Sequence, residues 1–227
     1  MKFIEHVIIL AAGRGTRLMP ITNKIPKALV TIQNQTLILQ GIKKIKKYAK
    51  KIHITVGYRG SMIAEHVIKN KVNSVINTEG KGNCWWVFNF PFNLLNGPIL
   101  VLTCDNITSI NFKKIFQDYE LKNKPPCMLI PVRPVKGLEG DYIHKDGKYV
   151  KKLSRIKKSS IYCSGIQIIN PKKINKIMKE KKNFNSLWKE LIKKKKLFVS
   201  DIIPEKWFTI DRIEQLNFIS KKLNDLK

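Results

Sequence analysis

The sequence predicts an α/β protein. One three-layer domain over residues 1–227 is expected, with a mixed, mainly parallel sheet and a β-rich insertion in its second half. Three observations predict it. Short apolar runs of strand length alternate with amphipathic helical stretches, a glycine-rich turn follows directly on the first run, and the last third returns to helical periodicity. The continuous run 7–10 suits a strand covered on both faces, as a parallel sheet requires. Ile38, Ile42, Ile45 and Ala49 then share one helical face, while Lys43, Lys44, Lys46 and Lys47 fill the other. Residues 52–57 supply a second strand, 61–69 a weaker helix, and 72–76 and 98–102 further extended segments. Phe112, Ile115, Phe116 and Tyr119 make another helical face. Strands at 128–132, 149–153 and 162–169, with Gly137, Gly140 and Gly147 in the turns between, form the β-rich portion. Three helical faces close the chain: Ile174 with Ile177 and Met178, Leu187 with Trp188 and Leu191, and Ile213 with Leu216, Ile219 and Leu223. No internal repeat or linker-like stretch divides it, so one unit is expected rather than two.

Composition excludes several classes. An apolar share of 43% is enough to bury a core and rules out general disorder. Lys and Arg number 44 against 16 Asp and Glu, and the net charge of +28 requires an anionic partner, a membrane surface or a lysine-loaded exterior. Residues 171–196 hold eleven lysines and two glutamates, interleaved with the apolar helical positions. That pattern fits the solvated side of amphipathic helices. Lysine also far outnumbers arginine, the residue that base and phosphate recognition favours, so nucleic acid is not expected as a partner beyond a general attraction at low salt. Cys84, Cys104, Cys127 and Cys163 form no C-x-x-C pair, and the four histidines are scattered, which points to reduced thiols and against a zinc site. No stretch approaches the ~20 apolar residues of a membrane helix. The short apolar run 7–12 is stopped by Gly13-Arg14-Gly15, too early for a signal peptide. A cytoplasmic location without a membrane partner is expected, and a homo-oligomer is compatible with the chain.

Ligands of open α/β sheets bind at the carboxyl ends of strands, which directs attention to the loops after Leu10, Ile76 and Leu102. The first is the richest. Leu10-Ala11-Ala12-Gly13-Arg14-Gly15-Thr16-Arg17-Leu18-Met19-Pro20, followed by Thr22, Pro26 and Lys27, joins a buried strand to a glycine-rich, basic turn. Glycines let backbone N–H groups crowd around an anion. Leu18 stands where G-x-G-x-x-G needs its third glycine, and Leu18-Met19 where a P-loop needs Gly-Lys, so neither a dinucleotide fold nor a P-loop ATPase is supported. A triphosphate fits the amides of residues 13–16 and the fixed cations Arg17 and Lys27; a tight strand-to-helix turn with exposed basic residues is the alternative.

This segment resembles the signature of nucleotidylyltransferases that act on sugar 1-phosphates and on phosphocholine. Val56-Gly57-Tyr58-Arg59-Gly60, Leu102-Thr103-Cys104-Asp105-Asn106 and Ser164-Gly165-Ile166 look like the family's later segments in order, so the similarity covers roughly residues 4–216. In layout the chain is most similar to the short muramate 1-phosphate uridylyltransferases. The resemblance implies a Rossmann-like fold and a Mg²⁺-dependent transfer of a nucleotidyl group from an NTP to a small phosphorylated acceptor, with loss of pyrophosphate. By matched position Arg17 would contact the departing phosphates, Lys27 the α-phosphate and Asp105 the metal. Ala11, Ala12, Gly13, Gly15, Thr16, Gly82 and Asn83 would bind the nucleotide, and Asn106, Asp141, Lys157 and Gly165 the acceptor.

Several positions depart from the family pattern. Where longer relatives have Trp-x-Asp-x-Gly-Thr, with its second metal ligand, this chain has Trp207-Phe208-Thr209-Ile210-Asp211, so the carboxylate arrives two residues late. If 207–210 is a strand, Asp211 shares a face with Thr209 and serves as the second ligand; otherwise Asp105 acts alone. A Glu-Lys-Pro segment is missing on the acceptor side, leaving Arg155, Lys157 and Lys158 as candidates for the acceptor phosphate. The base loop reads Gly82-Asn83-Cys84-Trp85-Trp86, an asparagine-containing form similar to that of phosphocholine cytidylyltransferases. Its tryptophans would cage a quaternary ammonium or simply anchor the core. Glu139 and Asp141 would meet an amine or sugar hydroxyls, or be ordinary turn acids. A sugar 1-phosphate acceptor is expected first and phosphocholine or another phospho-alcohol second. An inactive transferase scaffold that binds polyanions is the alternative from a different class.

Overall fold

The apolar run that opens the chain forms strand β1 (Ile4–Leu10), in which Val7, Ile8 and Ile9 are fully buried. The computed structural model describes residues 3–135, 137–138 and 140–224, with side chains as far as 221; Glu139 and the side chain of Leu223 lie outside them. After β1 come helix α1 (Ile21–Lys24), the ribbon β2 (Thr31–Ile32) and β3 (Gln35–Thr36), and helix α2 (Leu37–Lys46). Strand β4 (Ala49–Val56), helix α3 (Gly60–Ile68), strand β5 (Ser74–Asn77) and helix α4 (Trp85–Phe88) follow. The middle of the chain supplies β6 (Ile99–Thr103), β7 (Asn106–Ser109), helix α5 (Phe112–Leu121), β8 (Cys127–Val132), β9 (Tyr142–Asp146), β10 (Tyr149–Ser154) and β11 (Tyr162–Ile169). Helices α6 (Pro171–Asn175) and α7 (Phe184–Lys193), strands β12 (Leu197–Val199) and β13 (Lys206–Thr209) and helix α8 (Ile213–Asn224) complete it.

Nine strands join in the order β5-β4-β1-β6-β11-β8-β12-β10-β9. The first four are parallel, with Ile9 opposite both Ile54 and Leu102. Strand β11 enters antiparallel between β6 and β8, and β10 is antiparallel to β12 and β9. The predicted β-rich portion is therefore the outer half of the same sheet. Its extra strand β9, paired with β10 along its length and with β11 at Tyr142, escaped the sequence pattern because Ile143 is its one buried residue. Strand β7 also escaped it, while β13 matches the strand considered for 207–210; the two pair with each other in a separate ribbon.

Helices cover both faces and make the three layers. Ile38, Ile42 and Ile45 of α2 pack with Ile9, Ile54 and Ile115 on one side. Trp86, Leu187 and Trp188 pack with Ile8, Val101 and Leu129 on the other. Each such side chain contributes roughly 1.5–3 kcal/mol on burial. Helix starts are fixed by side-chain caps: Thr36 accepts from the Leu39 N–H (3.4 Å), Asn111 from Lys114 (3.1 Å) and Asn183 from Ser186 (2.9 Å). The lysines of 171–196 point away from the buried positions Ile174, Leu187 and Leu191, as amphipathic helices demand. A third cluster, Leu18, Val30, Ile32, Leu37, Ile210 and Ile219, braces the segment after β1 against the C-terminal helix. Among the described residues no helix is long and apolar enough to cross a membrane.

Candidate active site

The glycine-rich turn begins where β1 is pinned on both sides. The Ala11 N–H donates to Thr55 O (3.0 Å) and the Cys104 N–H to Leu10 O (3.1 Å), so the loops after β4 and β6 hold its two flanks. Gly15 lies at φ +72°, and a Cβ there would stand 2.8 Å from Cβ of Lys27. Both facts demand glycine. Buried Thr22 donates its hydroxyl to Gly15 O (2.9 Å) and fixes the turn from beneath. No hydrogen bond among the described residues uses the backbone N–H of Gly13, Arg14, Gly15 or Thr16. All four of these residues line a cleft of about 650 Å³. Ala12 and Gly13 line that cleft, whereas Ala11 is buried and spends its N–H in the sheet.

Charges converge at the inner end. Buried Lys27 donates to a carboxylate oxygen of Asp105 and to Oδ1 of Asp211 (2.7 Å), and Arg17 lies 2.9 Å from the same Asp211 oxygen. Burial alone would push the Lys27 ammonium down, but the two carboxylates outweigh it and hold it well above the ordinary lysine range. Asp105 follows β6, at the carboxyl end of a central parallel strand. Asp211 is delivered by the β7–β13 ribbon, where Thr209 pairs with Asn106 and the Ile210 N–H reaches Asp105 O (3.2 Å). The strand ends at Thr209, which is buried, so Asp211 stands just past it and needs no further shift to reach Lys27. Gln215 completes the arrangement: its Oε1 accepts from the N–H groups of Asp211 (2.7 Å) and Arg212 (3.1 Å), and its Nε2 donates to Gly137 O (3.2 Å).

Two carboxylates about one cation fit Mg²⁺, which takes one or two protein carboxylates and completes its shell with phosphates and water. The described residues contain no cluster of three or more His, Cys, Asp or Glu that would suit a zinc cage. Neighbouring Cys104 stays a neutral thiol, pushed up to about 12 by burial.

The base loop is stapled to the segment before α7. A Cβ on Gly82 would overlap Lys182 O at 1.5 Å, Cys84 donates its thiol to Lys181 O (3.0 Å), and Asn83 Oδ1 accepts the Phe184 N–H (3.0 Å). The carbonyl oxygen of Asn83 is thus engaged by the backbone, while the residue lines the cleft. Trp86 is a core anchor against Phe92 and Phe184, and Trp85 carries Lys81 over its ring at 5.8 Å. On the acceptor side, Asn106 donates to Ser164 O (2.9 Å), and Gly165 (φ +78°) sits against Thr103. Asp141 pairs with Arg155 (3.3 Å). Lys157 and Lys158 do not line the cleft; Lys157 is exposed and tied only through its backbone, to Ser154 Oγ (2.9 Å) and to the His144 ring (3.2 Å). A larger cavity of about 920 Å³ between β13, α8 and residues 133–135 is mainly apolar and holds none of these converging charges.

Known proteins share part of this sequence and its fold. A Methanococcus aeolicus protein, bifunctional GlmU, is 32% identical over 117 residues, which is 51% of this chain and 28% of that protein. The chain thus spans about a quarter of the length of that relative. Among solved structures, an inositol-1-phosphate CTP transferase from T. maritima superposes with a TM-score of 0.79 at 15% identity, covering 99% of this chain and 96% of that one. The CTP:phosphocholine cytidylyltransferase LicC of Streptococcus pneumoniae gives 0.76 at 21% identity, covering 97% and 100%. Both share the fold. The profile of the family described as nucleotidyl transferase matches residues 6–207, from β1 to the strand before Asp211, and the chain belongs to that family of enzymes.

Proposed function

We propose that the protein, as one domain over residues 1–227, transfers a nucleoside monophosphate from an NTP to a sugar 1-phosphate, releasing pyrophosphate and giving an NDP-sugar. One observation carries this: Lys27, Arg17, Asp105 and Asp211 meet in the same cleft that residues 13–16 line with their unused backbone donors. An acceptor phosphate oxygen attacks the α-phosphorus as the bond from that phosphorus to the α,β-bridging oxygen breaks, and the electron pair leaves on pyrophosphate. The amides of residues 13–16 and Arg17 orient the β- and γ-phosphates. Lys27 exchanges its carboxylate partners for α-phosphate oxygens and follows the charge that builds there. Asp105 and Asp211 would hold Mg²⁺, which supplies neutralisation of the polyphosphate when bound. The NH₂ of Asn83 suits a carbonyl oxygen on a pyrimidine edge. On the acceptor side, Asn106, which follows Asp105 directly, donates to Ser164 O next to Gly165, and Asp141 would meet acceptor hydroxyls.

Phosphocholine stands second among acceptors, because Trp86 is consumed by the core and Trp85 already carries a lysine, leaving no aromatic cage. Another phospho-alcohol such as inositol 1-phosphate is supported by the likeness in fold to the T. maritima inositol-1-phosphate CTP transferase. The assembled carboxylates and cations support turnover over an inactive polyanion-binding scaffold. A panel of four NTPs against sugar 1-phosphates, inositol 1-phosphate and phosphocholine, scored by pyrophosphate release, tests this. Turnover with a sugar 1-phosphate, falling about 100-fold or more in Lys27→Ala and Asp105→Asn, is expected. Absence of turnover with every pair, or wild-type rates in both variants, contradicts it.

A further inference from the structure

The loop after β4 is buckled onto the glycine-rich turn and the helix after it by three contacts, and braced by a fourth within itself, that the transfer chemistry does not use. The Tyr58 N–H donates to Ala12 O (3.2 Å), and the Tyr58 hydroxyl donates to Thr22 O (3.1 Å), beside the residue that fixes Gly15. Arg59, held at φ +50°, donates from Nη2 to Asn23 O (2.9 Å) and from Nε to the Tyr58 hydroxyl (3.1 Å). The tyrosine ring is thereby fixed in position and orientation. Over it, 5.1 Å from the ring centroid, stands the guanidinium of Arg14.

Arg14 belongs to the run of unused amides, lines the same cleft, and has no carboxylate within ion-pair distance among the described residues. The site's cations are graded by depth. Lys27 is buried against the carboxylates, Arg17 is exposed but reaches Asp211, and Arg14 is exposed at the outer rim. A polyphosphate whose α-phosphate meets Lys27 extends outward along the turn, toward Arg14. Arg59 is already committed to Asn23 and Tyr58, so Arg14 is the guanidinium in this pair with donors to spare.

We propose that Arg14 binds the terminal phosphate of the triphosphate and that Tyr58 is a positioning residue that holds Arg14 in place for it. The proposal rests on the triphosphate lying in the cradle of residues 13–17. It adds a phosphate contact that the monophosphate half of the substrate never makes. The hydrogen bond from Arg59, with a smaller one from Arg14, also holds the Tyr58 hydroxyl below the usual tyrosine range.

Inorganic tripolyphosphate with Mg²⁺ is the probe, because it needs no knowledge of the base, and orthophosphate is the control. Binding is measured by calorimetry at about 150 mM salt, where general attraction to a +28 surface is largely screened. Expected for Arg14→Ala is about a tenfold loss of tripolyphosphate affinity with orthophosphate affinity unchanged, the scale of one charge-assisted contact. Tyr58→Leu, which removes ring and anchor, is expected to reproduce most of that loss, and Arg14→Lys to recover part of it. Melting curves establish that each variant is folded, and Tyr58→Phe, which keeps the ring, serves if Tyr58→Leu is not, with a smaller loss in the same direction. Wild-type affinity for tripolyphosphate in Arg14→Ala overturns the proposal, as does an equal loss for both anions. A wild-type protein that binds no tripolyphosphate at all instead removes the cradle reading on which the proposal stands.

Discussion

Gly15 shows how one residue sets the chemistry of its neighbour. Its positive φ costs any L side chain about 1–2 kcal/mol, and a Cβ there would press on Lys27 at the position that aligns its ammonium. Gly15→Ala is therefore expected to lower Tm by several degrees and to reduce turnover by more than the loss of folded protein explains, which paired melting and rate measurements separate. Residues whose roles depend on local chain chemistry were legible in the sequence. Gly13, Gly15, Arg17 and Lys27 lie in one short segment, and Asp105 is placed by the apolar run before it. Asp211 was legible only on the condition that 207–210 is a strand, because its position depends on β7 pairing with β13 across most of the chain, and neither strand carries an alternating pattern long enough to announce itself. Gln215, which holds Asp211 and reaches the Gly137 turn, was missed for the same reason. No local signal marks a glutamine that accepts from the backbone four residues before it. For Asn83 the sequence showed a group able both to donate and to accept; the Phe184 N–H then takes the accepting half.

At the level of elements, helices α2, α5 and α7 were readable because their apolar positions recur at helical spacing and their caps are Thr or Asn. Strands β7, β9 and β12 were not, being short. What joins α5 to β12 is polar and equally hidden. Asp118 and Lys122, both buried, form an ion pair; Asp118 Oδ2 also accepts from the Ser200 hydroxyl (2.6 Å) and the Asp201 N–H (3.1 Å), and Lys122 reaches Asp201 (2.6 Å). Burial lowers the Lys122 pKa, but the two carboxylates more than offset this and raise it. Removing one partner strands the other, so Asp118→Ala is expected to cost about 3 kcal/mol in urea unfolding while leaving the KM for NTP unchanged. A cost within 0.5 kcal/mol, the range of an ordinary surface change, would show that the network is decorative.

Across the whole molecule, the stability of the sheet responds to pH through two buried histidines. His6 and His53 are buried on β1 and β4, with their rings joined at 3.0 Å and His53 bonded to Ser74 Oγ at 2.7 Å. Burial first, then His6 and Lys51, lowers the His53 pKa from 6.5 to about 4. The unfolded chain therefore binds more protons than the folded one between those values. Stability is fully present above pH 6.5 and falls as pH drops toward 4, by at most about 2 kcal/mol at pH 5. Urea midpoints at pH 7.5 and pH 5 should show that fall, and His53→Gln should flatten it. Fold class, the main helices and central strands, and the glycine-rich turn are thus carried by sequence pattern, whereas the closing of the site is a property of the assembled sheet and ribbon. That closure is tested most directly by an anomalous difference map from a crystal soaked with Mn²⁺ and the α,β-methylene analogue of the NTP that turns over. The account predicts one peak bonded to oxygens of both Asp105 and Asp211, with the triphosphate along residues 13–17 and the Lys27 ammonium on its α-phosphate. A peak bound by neither carboxylate, or a triphosphate lodged away from that turn, would contradict it.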